Sequence, residues 1–186
     1  MTEPDYGAPE RKFCRLDAGL TLSEGARVEG YASLFGKTDS GGDRVERGAY
    51  ARSLAALTTA GRRVKMLWQH DPRQPIGVWD EVREDATGLY VKGRLLTDVA
   101  QGREAAALLA AGAIDGLSIG YRTVRAAKDD RGVRLLSEVE LWEVSLVTFP
   151  MLAEARVGAK GSMPATDLCR DLASAFEDAR RLLADR

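Results

Sequence analysis

His70 is the only histidine among 186 residues. It ends the short apolar run in "VKMLWQHDP", residues 64–72, where the chain enters a turn. Imidazole titrates near neutral pH, so it can take and return a proton under working conditions. The group that most needs such help is a serine hydroxyl, a weak nucleophile until a base removes its proton. A carboxylate would then fix the ring's tautomer and stabilise the imidazolium. Ser118 is the best-placed serine. It lies in "DGLSIGY" with Gly116 and Gly120 to either side, and strand alternation puts Ser118, Gly120 and Arg122 on one face and Leu117, Ile119 and Tyr121 on the other. For the acid, "VELWEVSLVTF" offers Glu140 and Glu143, which regular alternation places on opposite faces, with Glu143 sharing its side with Ser145 and Val147. A glutamate in so apolar a strand is costly to bury without a partner. Each residue also has a plainer reading: His70 as a loop residue, Ser118 as a small side chain where sheets approach, Glu143 as an exposed strand edge. The pattern alone leaves these open.

Other chemistries have less behind them. One histidine and two remote cysteines, Cys14 and Cys169, do not build a metal site, and no carboxylate run follows a calcium-loop pattern. The cysteines match no zinc or redox spacing, and a disulfide between them stays open without support in the pattern; a reducing compartment is the expected setting. "DSGGDR" is glycine-rich but lacks the lysine and the strand-to-helix setting of a phosphate loop. No cofactor is expected. Lys and Arg total 27 against 28 Asp and Glu, for a net charge of −1, and no basic stripe interleaves with aromatics, so nucleic acid is not an expected partner. No apolar run is long enough to cross a membrane, and "MTEPDYGAPERKF" has no apolar core of a secretion signal.

The elements that must position these residues are mostly short strands. "ARVEGYASLFG" (26–36) alternates; "KTDSGGDRVERG" (37–48) reads as a loop; residues 48–61 place Tyr50, Leu54 and Leu57 on one helical stripe ending at Gly61. Strands are expected at 63–70, 76–85 and 88–96, punctuated by Asp71-Pro72 and Thr87-Gly88. An alanine- and leucine-rich helix from about 99 to 111 closes at Gly112. "GLSIGYRTV" alternates again, "KDDRG" is a hairpin turn, and a long strand runs from 133 towards Pro150. Beyond a linker, residues 167–186 carry Leu168, Leu172, Phe176 and Leu182 near helical spacing. About seven strands joined mostly by tight turns imply a β-rich α+β fold, a closed or strongly curved, mainly antiparallel β-barrel flanked by helices.

Four blocks, "GYASLFGKTDSGGDRVERGAYARSL", "LWQHDPRQPIGVWDEVREDATGLYVKGRLL", "GREAAALLAAGAIDGLSIGYR" and "VELWEVSLVTFPMLAEARV", resemble in order those of the tailed-phage prohead protease family, over about residues 28–157. The resemblance implies a serine endopeptidase that digests scaffold, or the scaffold-like extension of the major capsid protein precursor, and also itself. It implies action inside the immature capsid in the bacterial cytoplasm, and a fold similar to the herpesvirus assembly protease. It also implies His70 as general base, Ser118 as nucleophile and Glu143 as the third member, with Glu140 in reserve. Met151-Leu152 departs from the small residue and asparagine expected after "TFP", which touches subsite shape. The oxyanion donors are not fixed by resemblance; backbone N–H groups near Ser118, Arg122 and Arg156 are candidates. On this reading the chain divides into an arm (1–25) able to add an edge strand, a protease domain (26–157), and a linker with a terminal helix (158–186). A homo-oligomer stays open, as does a non-catalytic assembly or scaffolding role on the same fold.

Overall fold

The computed structural model describes residues 10–14, 21–23, 26–39 and 41–148. In chain order these form β1 (Glu10–Cys14), β2 (Thr21–Ser23), β3 (Arg27–Leu34), β4 (Asp43–Val45), α1 (Ala51–Thr59), β5 (Lys65–Trp68), β6 (Asp71–Glu84), β7 (Gly88–Leu95), α2 (Ala100–Ala110), β8 (Gly116–Lys128) and β9 (Arg134–Val147). Both helices fall where the apolar stripes place them, and both end ahead of a glycine in the left-handed region, Gly61 at φ 62° and Gly112 at φ 69°.

The strands make one sheet in the order β1-β8-β9-β5-β6-β7-β3-β2, with β4 also paired to β9. Most pairings are antiparallel; β5 and β4 each run parallel to β9. The long β8–β9 hairpin turns where expected. Asp129 Oδ1 accepts from the backbone N–H groups of Arg131 and Val133, an Asx-type closure that explains the choice of residue. Of the two forms expected, closed or strongly curved, the sheet is the curved one. Among the described residues its ladder has two ends, at β1 and β2, yet β3 also lies against β1 and β8, as it must in a sheet that curls back on itself. Both end strands come from the segment read as an arm.

Two local expectations need correction. The loop at 37–48 contains β4, whose three residues are too few to show a period. What holds it is Asp43, which accepts two bonds from the Arg134 guanidinium, 2.8 and 2.6 Å, beside the Tyr121 hydroxyl at 3.3 Å. The turn expected at Asp71-Pro72 is two residues earlier. Trp68 pairs with Asp71, so β6 begins at Asp71 and the hairpin loop is Gln69-His70. The core is built from alternate residues of these strands, among them Met66, Ile119, Tyr121, Leu141, Val144 and Leu146, all about 1% exposed or less. The residues between them on β5, β8 and β9 form the opposite face, where the candidate site lies.

Candidate active site

Three central strands set the frame. Cross-strand partners in a sheet point to the same side. One row contains Leu67, Ser145 and Ser118; the next contains Lys65, Glu143 and Gly120. Ser118 and Ser145 therefore stand side by side, their Cα atoms about 4.5–5.5 Å apart as in any antiparallel pair, and Glu143 follows one row along. Ser118 and Ser145 are fully buried, and His70 and Glu143 are each 7% exposed, so the cluster is screened from water.

His70 reaches this face from the loop that closes β5 and β6. Gln69 and His70 both have positive φ, 51° and 63°, the pattern of a type I′ hairpin turn. Histidine is among the non-glycine residues found more often at positive φ, whereas glutamine is not, and strained non-glycine positions of this kind cost about 1–3 kcal/mol each. The turn is held by β9 and by Thr148 just after it. The Gln69 N–H donates to the Leu146 carbonyl at 3.0 Å, the Gln69 side-chain amide to Thr148 Oγ1 at 2.6 Å, and the His70 N–H to Ser145 Oγ at 3.2 Å.

The ring's Nδ1 faces Glu143 Oε1 at 2.5 Å, and the Ser145 hydroxyl donates to Glu143 Oε2 at 2.6 Å. Both carboxylate oxygens thus have donors, which meets the cost of burying the charge. With Nδ1–H turned to the carboxylate, the lone pair sits on Nε2, the nitrogen needed by a general base. Gly120 completes the arrangement, because a methyl group there would overlap the Glu143 carboxylate.

Glu140 is not part of this cluster. It pairs with Arg122 at 2.6 Å, and both side chains are about half exposed. It also does not lie on the opposite face from Glu143, as regular alternation predicts. β9 carries an extra residue, Trp142, where the partner of Gly120 is Glu143 but that of Tyr121 is Leu141. A bulge of this kind shifts the period by one, so Glu140 and Glu143 face the same way. The Ser53 hydroxyl of α1 accepts the Leu141 N–H at the bulge, 2.9 Å. Ser145 and Gly120 were not singled out for the site by the sequence. The only signal for Ser145 was its shared face with Glu143. Of the expected oxyanion donors, Arg122 is engaged by Glu140, and Arg156 lies outside the described residues with Met151, Leu152, Cys169 and the terminal helix. Among the described residues no group of three His, Cys, Asp or Glu side chains is placed to hold a metal ion, and no helix is long and apolar enough to cross a membrane.

Residues 16–167 match the family described as Caudovirus prohead serine protease. The chain belongs to that family. It is a serine peptidase of prohead maturation. It is 35% identical over 156 residues to the prohead protease of Enterobacteria phage HK97, an alignment spanning 81% of this chain and 67% of that one. It is 27% identical over 144 residues to the prohead protease of Escherichia phage T5, spanning 76% and 66%. The chain thus spans about two thirds of the length of each of these relatives. The structure is similar to the capsid assembly protease of bacteriophage T4, with TM-score 0.60 at 15% identity, over 77% of this chain and 98% of that one. That likeness concerns the β-rich fold, a curled sheet with two helices.

Proposed function

We propose that Ser118 is the nucleophile of this peptidase, His70 its general base and Glu143 the carboxylate that orients and supports His70, with Ser145 as a positioning residue. The observation that carries the reading is the contact between His70 Nδ1 and Glu143 Oε1, 2.5 Å, in a buried cluster one row from Ser118. In the proposed cycle His70 Nε2 takes the Ser118 proton as Oγ bonds to the peptide carbonyl carbon. The tetrahedral adduct collapses, the C–N bond breaks, and the leaving amine takes the proton from Nε2. Water, deprotonated by Nε2, then attacks the acyl carbon; the C–Oγ bond breaks and Nε2 returns the proton to Ser118 Oγ. Glu143 supports the imidazolium while Nε2 holds the transferred proton.

The proposed substrates are the scaffold or the scaffold-like extension of the major capsid protein, and the enzyme itself, cleaved inside the prohead in the bacterial host. The names of the relatives, prohead protease and capsid assembly protease, support this.

Mass spectrometry of the chain co-expressed with its capsid precursor tests the assignment. Ser118→Ala and His70→Ala are expected to abolish processing with the circular-dichroism spectrum unchanged, and Glu143→Ala to lose less. Processing by purified Ser118→Ala would overturn the nucleophile. If the wild-type chain leaves the precursor whole while proheads still assemble, a scaffolding role replaces the enzymatic one.

A further inference from the structure

The rows that hold the site continue into a groove. After Ser118 and Gly120, the next residue of β8 on that face is Arg122, opposite Glu140 of β9, while Lys65 of β5 flanks Glu143. These three side chains border a cavity of about 980 Å³ between α1 and the β8–β9 hairpin. Trp142, the bulged residue, and Leu57 of α1 give it an apolar lining.

Its charge is one-sided. Five cations line it, Arg52, Arg62, Arg63, Lys65 and Arg122, against two carboxylates, Glu138 and Glu140. Both carboxylates are taken: Glu138 pairs with Arg52 at 3.1 Å and Glu140 with Arg122 at 2.6 Å. Arg62, Arg63 and Lys65 are exposed and have no ion pair among the described residues. In a chain of net charge −1, three uncompensated cations on one wall are a local feature of this groove.

We propose that this groove binds an acidic stretch of the peptide substrate, two to five residues to one side of the scissile bond. An extended chain advances about 3.3 Å per residue. A peptide held at Ser118 and running along the β8–β9 face therefore passes the Lys65 row at about its second residue and the Arg122 row at about its fourth. Arg62 and Arg63, which follow α1 and lead into β5, line the same cavity. A peptide fits better than a nucleic acid, because the groove continues the face of the proposed peptidase site. Exposed charges attract at range and tune encounter more than final affinity, so the effect falls with salt. The inference rests on the peptidase reading of the site. Its test is a binding measurement in the inactive Ser118→Ala protein, so failure of the catalytic assignment shows separately, in processing.

Fluorescence anisotropy of labelled octa-glutamate, octa-glutamine and oligo-dT peptides or strands with full-length Ser118→Ala provides the readout. Octa-glutamate is expected to bind tightest, and Arg62→Glu/Arg63→Glu to weaken it about tenfold. Arg131→Glu, on the distant hairpin turn, is expected to leave it unchanged. Zero-length carbodiimide coupling is expected to join octa-glutamate to Lys65. Equal binding of octa-glutamine or oligo-dT, no loss in the double variant, or coupling confined to other lysines would overturn the proposal.

Discussion

At the scale of single residues, Ser145 connects the parts of the site that lie far apart in sequence. Its hydroxyl oxygen accepts from the backbone of His70, its proton goes to Glu143, and its strand position is beside Ser118. Replacing it with alanine removes two hydrogen bonds in a fully buried setting and leaves a carboxylate oxygen and an N–H unsatisfied. The expected cost is about 1–3 kcal/mol of stability. Because the ring and carboxylate lose their alignment while the substrate groove is untouched, kcat is expected to fall by up to about 10²-fold at unchanged KM. Denaturant titration and steady-state kinetics of Ser145→Ala check both parts, and an unchanged kcat would remove Ser145 from the positioning role. Ser118 and Glu143 were legible as candidates from alternation and from the rarity of a glutamate in an apolar strand. Their placement one row apart was not, because alternation within one strand says nothing of which strand lies beside it.

At the scale of elements, the β5–β6 turn and the β9 bulge do the positioning. A two-residue loop with positive φ at both places favours Asn-Gly; here Gln69 and His70 adopt it and are tied by two hydrogen bonds to β9 and a third to Thr148 just after it. Gln69→Val puts a β-branched side chain where φ must stay positive. We expect it to destabilise the fold by about 1–3 kcal/mol and to lower kcat through displacement of His70. Chemical denaturation of Gln69→Val in the Ser118→Ala background measures the first, and equal stability would show that the turn bears no strain. The sequence pointed to the wrong turn here because Asp71-Pro72 carries the stronger turn signal, while the cross-strand bonds that hold Gln69-His70 come from residues about 75 positions away. The bulge escaped the sequence for a related reason. One inserted residue changes the facing of Glu140, yet nothing in "VELWEVS" marks which residue is extra.

At the scale of the molecule, one curled sheet carries the site, and its stability depends on carboxylates that fasten its strands. Asp85 is the clearest case. Burial alone would raise its pKa, but N–H bonds from Thr87 and Gly88, the Tyr31 hydroxyl and Arg83 outweigh that and hold it to about 2. A depressed carboxylate contributes stability above its unfolded pKa of about 3.9 and loses it as pH falls through the folded value. The melting temperature of the wild type is therefore expected to drop between about pH 4 and pH 2. Asp85→Asn should melt lower at pH 7 and fall less steeply across that window. Parallel curves in calorimetry would show that Asp85 is not linked to folding.

The helices, most strands, the tight-turn topology and the three chemical groups were written in local patterns of apolar period, glycine and turn residues, because those patterns act over a few neighbours. The family resemblance named His70 and Glu143 together; their contact, the part played by Ser145, the facing of Glu140 and the basic groove belong to the tertiary structure. They follow from strand register, and register is set by which faces of distant segments bury one another.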